Sequence, residues 1–168
     1  MAYTFLKAQG FQIGKSLVEE NQLDFSLQLL QKAKGKIKLV LPSDHIAAER
    51  MDVQAKTKIV KNGEIPPEWI CLDIGPETVK TFSTEVRSAR TIVWNGPMGV
   101  FEMEPFSHGT FAMAKAIADS SAFSIVGGGD SVAAVNQAGV AERISHISSG
   151  VGASLEFLIG RKLLGIEA

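Results

Sequence analysis

The sequence predicts an α/β fold. From residue 66 onward, short apolar runs rich in β-branched residues alternate with longer segments whose apolar residues recur at helical spacing. That is the pattern of parallel strands joined by crossover helices. Glycine clusters fall where several of these runs give way to the next helical segment, as they do at strand-to-helix turns. With 168 residues and 45% hydrophobic content, the chain has the size of one domain and can bury one core.

The first third is the least regular. Phe25 to Ala33 has helical period, with Asp24 as its expected N-cap and Lys34-Gly35 marking its end. Ile37 to Leu41 is expected to be a strand stopped by Pro42. Residues 44 to 65 form a two-strand excursion, because Thr57 to Val60 alternates and Asn62-Gly63 is a turn signal. Beyond it, Trp69 to Ile74 is a strand, and Glu77 to Ala89 a helix with Val79, Phe82 and Val86 on one face. Thr91 to Trp94 is the next strand, followed by a helix from Pro105 to Asp119 with Phe106, Phe111, Ala114 and Ala118 aligned. Phe123 to Val126 is strand, Ser131 to Ala138 a short helix, and Ile144 to Ile147 the last strand. A final helix is expected over Ala153 to Leu164, with Leu155, Leu158 and Ile159 inward. No internal repeat, low-complexity segment or interdomain linker interrupts the pattern.

Composition narrows the function classes. Seventeen Lys and Arg stand against 18 Asp and Glu, a net charge of -1, so there is no broad basic field to hold nucleic acid or an anionic membrane. A small ligand is the expected partner. Cys71 is the single cysteine and cannot form an internal disulfide; its setting, Trp69-Ile70-Cys71-Leu72, is that of a buried strand. That suits a reducing cytoplasm, and the opening Met1-Ala2-Tyr3-Thr4-Phe5-Leu6-Lys7 lacks the apolar run and cleavage site of a secretory signal. No apolar stretch approaches the roughly 20 residues of a membrane helix.

The chemistry concentrates at three strand-to-helix junctions. They are Trp94-Asn95-Gly96-Pro97-Met98-Gly99-Val100-Phe101-Glu102, Val126-Gly127-Gly128-Gly129-Asp130-Ser131, and Ser148-Ser149-Gly150-Val151-Gly152-Ala153-Ser154. Open α/β sheets bind ligands outside the carboxyl ends of their strands. Glycine lets backbone approach a phosphate without a Cβ in the way, and the following helix offers unpaired N–H groups and a partial positive charge. A lone glycine cluster is more simply a tight turn, whereas three in succession favour phosphate.

Two familiar motifs fail on spacing. Gly150-Val151-Gly152 opens like a dinucleotide fingerprint, but the last required glycine would fall at Leu155. Gly10-Phe11-Gln12-Ile13-Gly14-Lys15-Ser16 imitates a Walker A loop yet is one residue short and follows a helix, leaving Lys15 as a solvated charge.

None of the three junctions contains Lys or Arg, so a cation that balances a phosphate chain must come from elsewhere. Asp130 is placed to hold Mg²⁺ against phosphates, or alternatively to cap the helix that follows it. Ser131 has the same two roles open, as phosphate donor or capping hydroxyl. Glu102 could accept ribose hydroxyls or be a solvated loop carboxylate.

These junctions, in this order and spacing, resemble the C-terminal domain signatures of the phosphoglycerate kinase family. The resemblance rests on Asn95 to Glu102, Gly127 to Ser131 and His146 to Glu156, with Leu72-Asp73-Ile74-Gly75-Pro76-Glu77-Thr78, Met1 to Leu6 and Gly14 to Leu17 as further matches. It covers essentially the whole chain, residues 1–168, as a C-terminal nucleotide-binding domain. The implied fold is a Rossmann-like three-layer parallel sheet with helices on both faces, incomplete at the N-terminal side. The implied activity is reversible phosphoryl transfer between ATP and the carboxylate of 3-phosphoglycerate, with Mg²⁺, in glycolysis. In that family a separate N-terminal domain binds the phosphoglycerate, and the whole enzyme is monomeric.

Carried over by position, the resemblance puts Asn95, Pro97, Gly99 and Val100 in the nucleotide cleft, Glu102 at the ribose and Gly75 beside the adenine. Gly128, Gly129, Asp130 and Ser131 would meet phosphates and metal, with Asp130 the Mg²⁺ ligand. Gly128, Gly150 and Gly152 would present backbone to the transferring group. Val151 stands where the family often has glycine, so a positive φ there would strain or reshape the third loop. Against the family pattern, the N-terminal domain with its basic patch and arginine is absent. The start of the C-terminal domain, with a phosphate-binding lysine, is absent too. The chain alone is therefore expected to be inactive and to bind ADP or ATP weakly if at all. A different class, a non-catalytic nucleotide or phosphometabolite module, would use the same loops without chemistry.

Overall fold

The structure is a computed structural model that describes residues 1–148 and residue 160. It is a mixed α/β fold built on two three-stranded sheets. Helix α1 (Ala2–Ala8) and helix α2 (Leu23–Ala33) precede β1 (Asp44–Ala48), β2 (Thr57–Lys61) and β3 (Ile70–Ile74). Then come α3 (Pro76–Ser88), β4 (Thr91–Asn95), α4 (His108–Ala118), β5 (Phe123–Gly127), α5 (Gly129–Gln137) and β6 (His146–Ser148).

The second sheet is the parallel one the alternation predicts, in the order β4-β5-β6. Its register runs from Thr91 opposite Phe123 to Asn95 opposite Gly127, and Gly127 in turn pairs with Ser148. Trp94 and Val126 point into a core shared with Ile117 of α4 and Val135 of α5. Helix α4 sits deep because its inward face is small or compact, with Gly109, Thr110, Ala114 and Ala118 all buried.

Three expectations need correcting. The run at Trp69 to Ile74 is a strand, but β3 pairs antiparallel with β1, which also pairs antiparallel with β2, so it lies outside the parallel sheet. Ile37 to Leu41 is not a strand: it follows a bend at Ile37 and has no ladder partner among the described residues, and Ile37 and Leu39 are exposed. Asp24 is inside the first turn of α2, whose N-cap position is Gln22. The helix expected over Ala153 to Leu164 lies outside the described residues, as does the third junction beyond Ser148.

The two-strand excursion is present as β1 and β2, and the Asn62-Gly63 turn follows β2, with Gly63 at φ +85° and Glu64 N–H bonded to Lys61 O at 3.0 Å. The Walker-like decoy is a packing turn. Gly14 has φ +55° and is wedged against the Pro66 and Trp69 carbonyls, where a Cβ would collide. Ser16 is buried and accepts the Cys71 N–H at 3.0 Å. Lys15 is a solvent-facing charge paired with Glu68 at 2.6 Å.

Two buried aspartates tie the halves together. Asp44, from β1, accepts the N–H groups of Glu77 (3.0 Å) and Thr78 (2.7 Å) and the Thr78 hydroxyl (2.6 Å), so it caps α3 from a distant strand. Asp73, at the end of β3, accepts Ile74 N–H at 2.8 Å and Gly109 N–H at 2.7 Å in the first turn of α4. Burial pushes the Asp73 carboxyl up to about 6, against the pull of those two amides and the nearby His108.

Candidate functional site

The parallel register decides where the site lies. Because Asn95, Gly127 and Ser148 occupy the same level of three adjacent parallel strands, the first two junctions leave the sheet side by side and the third begins next to them. This is the carboxyl edge, where α/β sheets place ligands.

The first junction is a rigid wall. Gly96 N–H donates to the buried Ser131 hydroxyl at 2.7 Å, and the Gly96 carbonyl accepts the Trp94 indole N–H at 2.8 Å. Met98 and Gly99 both donate to Thr110 Oγ1, at 3.0 and 3.1 Å, and Val100 N–H reaches Leu72 O at 2.9 Å. Gly99 admits no side chain, since a Cβ would meet the Asp73 carboxylate and Phe106 O. With its amides already bonded inside the protein, this loop is not a phosphate cradle; it offers shape and apolar surface instead.

That surface faces a cleft of about 210 Å³, lined by Pro97, Met98, Gly99 and Val100 on one side. The other walls come from Met1 and Tyr3 of the first helix region, Leu17, Met51, and Ile70 to Leu72 of β3. A flat apolar group bordered by a few polar atoms fits such a lining.

The second junction has free donors. Gly128, at φ +97°, is the N-cap residue of α5, and no side chain caps the helix. A Cβ on Gly128 would come within 2.6 Å of Asn95 Oδ1, so glycine here allows both the backbone turn and the close approach of the first loop. The first-turn N–H groups of α5 have no intrahelical acceptor and are open to an anion. Asp130 is exposed in that turn, and among the described residues its side chain makes no hydrogen bond or ion pair; the capping role open to it in sequence is not the one it takes.

The candidate residues thus divide. Pro97, Gly99 and Val100 line the cleft; Asn95, Gly128, Gly129 and Asp130 cluster at the adjoining strand ends. Ser131 is fully buried, and its hydroxyl neither caps α5 nor faces solvent: it joins the two junctions. Glu102 is exposed just past the loop. Gly75 is not among the cleft residues; it is buried where a Cβ would strike the Asp44 carboxylate. Gly150 and Gly152 lie outside the described residues. Thr110 and Leu72, which hold the first loop in place, went unread in the sequence because each acts through a contact made only on folding.

Among the described residues there is no cluster of three or more His, Cys, Asp or Glu side chains able to enclose a metal by themselves. A lone exposed Asp130 beside open helix amides suits Mg²⁺, which takes one or two carboxylates and fills its shell with phosphate oxygens and water. No helix among the described residues is long and apolar enough to cross a membrane.

Fold and register define an α/β protein whose parallel sheet gathers glycine-rich junctions at its carboxyl edge. Comparison with known proteins makes this specific: the family model for phosphoglycerate kinase matches residues 1–161, and the chain belongs to that family. It is 57% identical to the phosphoglycerate kinase of Acidobacterium capsulatum and 60% identical to that of Koribacter versatilis, covering all of this chain and 42% of each relative. The solved phosphoglycerate kinase from Coxiella burnetii superposes with a TM-score of 0.92 at 45% identity, over 95% of this chain and 42% of that one. That from Pyrococcus horikoshii OT3 gives 0.79 at 33% identity, over 96% and 41%. The chain therefore spans about 42% of the length of the curated relatives it matches.

Proposed function

We propose that this chain is the nucleotide-binding part of a cytoplasmic, Mg²⁺-dependent phosphoglycerate kinase, which moves a phosphoryl group between ATP and the carboxylate of 3-phosphoglycerate. The observation that carries the reading is the parallel register at Asn95, Gly127 and Ser148, which sets an apolar cleft beside an uncapped helix N-terminus.

The nucleobase packs in the cleft against Pro97 and Val100, and Glu102 accepts from the ribose. The phosphates run toward the first turn of α5, whose backbone N–H groups donate to their oxygens. Asp130 holds Mg²⁺, which neutralises phosphate charge when bound. The chain's own contribution to transfer is alignment: phosphoryl transfer needs donor and acceptor held in line and the moving charge balanced. The phosphoglycerate and the cations that balance the transfer belong to the parts of the relatives that this chain does not span.

A completed chain, joined behind the matching N-terminal part of the Koribacter versatilis relative, tests this. In a coupled assay the completed chain turns over and the chain alone does not. Asp130→Ala lowers turnover of the completed chain by about a hundredfold, in the range of losing one transition-state charge contact. Turnover by the chain alone, or indifference to Asp130→Ala, contradicts the reading; nucleotide binding without turnover in the completed chain favours a non-catalytic module.

A further inference from the structure

The cleft wall contains a side chain whose position is set from behind by a fully buried histidine. His45 lies in the middle strand of the antiparallel sheet, with Val60 and Ile74 opposite it on either side. Its imidazole is completely inaccessible to solvent. An apolar β-branched residue would fill such a place without the cost of desolvating an imidazole. The bonds around the ring show what the imidazole does there.

Their direction can be worked out from one end. Asn62 Nδ2 is 2.9 Å from Pro42 O, and since a carbonyl only accepts, this fixes the amide with its Oδ1 toward His45. His45 Nε2 is 2.7 Å from that oxygen and must carry the proton. Nδ1 is then the ring's lone acceptor, and it stands 3.2 Å from the Tyr3 hydroxyl, which donates to it and also lies against the Cys71 thiol. The Tyr3 and His45 rings also meet at 5.2 Å between centroids, tilted by 48°. Tyr3 is half-buried and lines the cleft together with Cys71, Pro97 and Val100.

We propose that His45 is a positioning residue for the nucleotide cleft: by accepting the Tyr3 hydroxyl it fixes the wall against which the base packs. The proposal rests on the reading of that cleft as the nucleotide site. The chain of bonds from Pro42 through Asn62 and His45 holds Tyr3 in one rotamer, so ordering of this wall is complete before the ligand arrives.

The test is steady-state kinetics of the completed chain with ADP varied. Tyr3→Phe and His45→Gln each raise KM for ADP about three- to tenfold, the size of one buried hydrogen bond, while kcat stays within about twofold. The double variant is no worse than either single one, because both break the same link. His45→Asn, whose side-chain oxygen can take the place of Nδ1, stays within about twofold of the parent KM. Val100→Trp, which fills the cleft directly, reports on the underlying reading. If Val100→Trp raises KM while Tyr3→Phe leaves it unchanged, the positioning role is overturned and the cleft assignment stands. Multiplicative effects in the double variant overturn it too. If Val100→Trp itself leaves KM unchanged, the cleft is not the nucleotide site and the proposal falls with it. Tyr3→Phe removes a single oxygen, and an unchanged KM there overturns the role of His45 even if the His45 variants do not fold.

Discussion

Asp44 and Asp73 show how single carboxylates join distant parts of this chain. Asp44 stands 34 residues from the Thr78 amide it binds, and replacing it with alanine strands the buried Thr78 N–H and takes the acceptor from Glu77 N–H, while the Thr78 hydroxyl keeps the Asp44 carbonyl. Asp44→Ala is expected to lower stability by about 2 to 3 kcal/mol in urea unfolding, with Asp44→Asn losing less because it keeps an acceptor. Asp73 acts on stability through pH. Burial raises its carboxyl to about 6 from 3.8 unfolded, so the folded state keeps a proton that the unfolded state has lost. The contribution of Asp73 is fully present below about pH 4 and disappears as pH rises through 6, a change of about 3 kcal/mol. Asp73→Asn removes that slope, and unfolding curves of the two proteins between pH 4 and 7 measure it. Gly75 illustrates what a sequence leaves hidden. Its place in a family motif suggests a ligand, whereas the Asp44 carboxylate packed against its Cα supplies a structural reason for glycine that no local pattern contains.

Between elements, the decisive link is Ser131 to Gly96, which couples the β4 junction to the first turn of α5. Ser131→Ala leaves the half-buried Gly96 N–H without its acceptor. It should cost about 1 to 2 kcal/mol and speed hydrogen exchange at the Gly96 amide, read by NMR, far more than at amides within β5. The elements themselves were largely legible. Period-2 and period-3.6 patterns located β3 to β6 and α3 to α5, and the glycine runs at 96–99 and 127–129 marked the site. Direction was not legible: an apolar run such as Ile70–Ile74 says strand, but only a neighbour decides parallel or antiparallel. Ile37 to Leu41 carries the same signal but finds no ladder partner among the described strands. The first junction's amides were also misjudged for phosphate, because Thr110 lies 12 residues from Met98 and Ser131 lies 35 from Gly96.

The whole molecule leaves apolar surface at one side of the parallel sheet. Among the described strands β4 pairs only with β5, and Val93 on it is exposed, as are Ile37, Leu39 and Phe123. A groove of about 290 Å³ beside β4 is lined by Val40, Phe82, Val86, Ile92 and Trp94 among others. An open strand edge next to an apolar groove promotes pairing between chains. Sedimentation of the chain alone should therefore show association rising with concentration, and Val93→Lys should reduce it; a strict monomer at high concentration would count against this. The proposed site has one nucleotide spanning the cleft and the α5 N-terminus. It is tested most directly by titrating ¹⁵N-labelled chain with Mg²⁺ and ADP and following amide shifts, which report even weak binding. Concentration-dependent shifts are expected to group at Gly96, Gly99, Val100 and Gly128 to Ser131. Shifts centred on the groove at Phe82 and Ile92, or none at millimolar nucleotide, would contradict it.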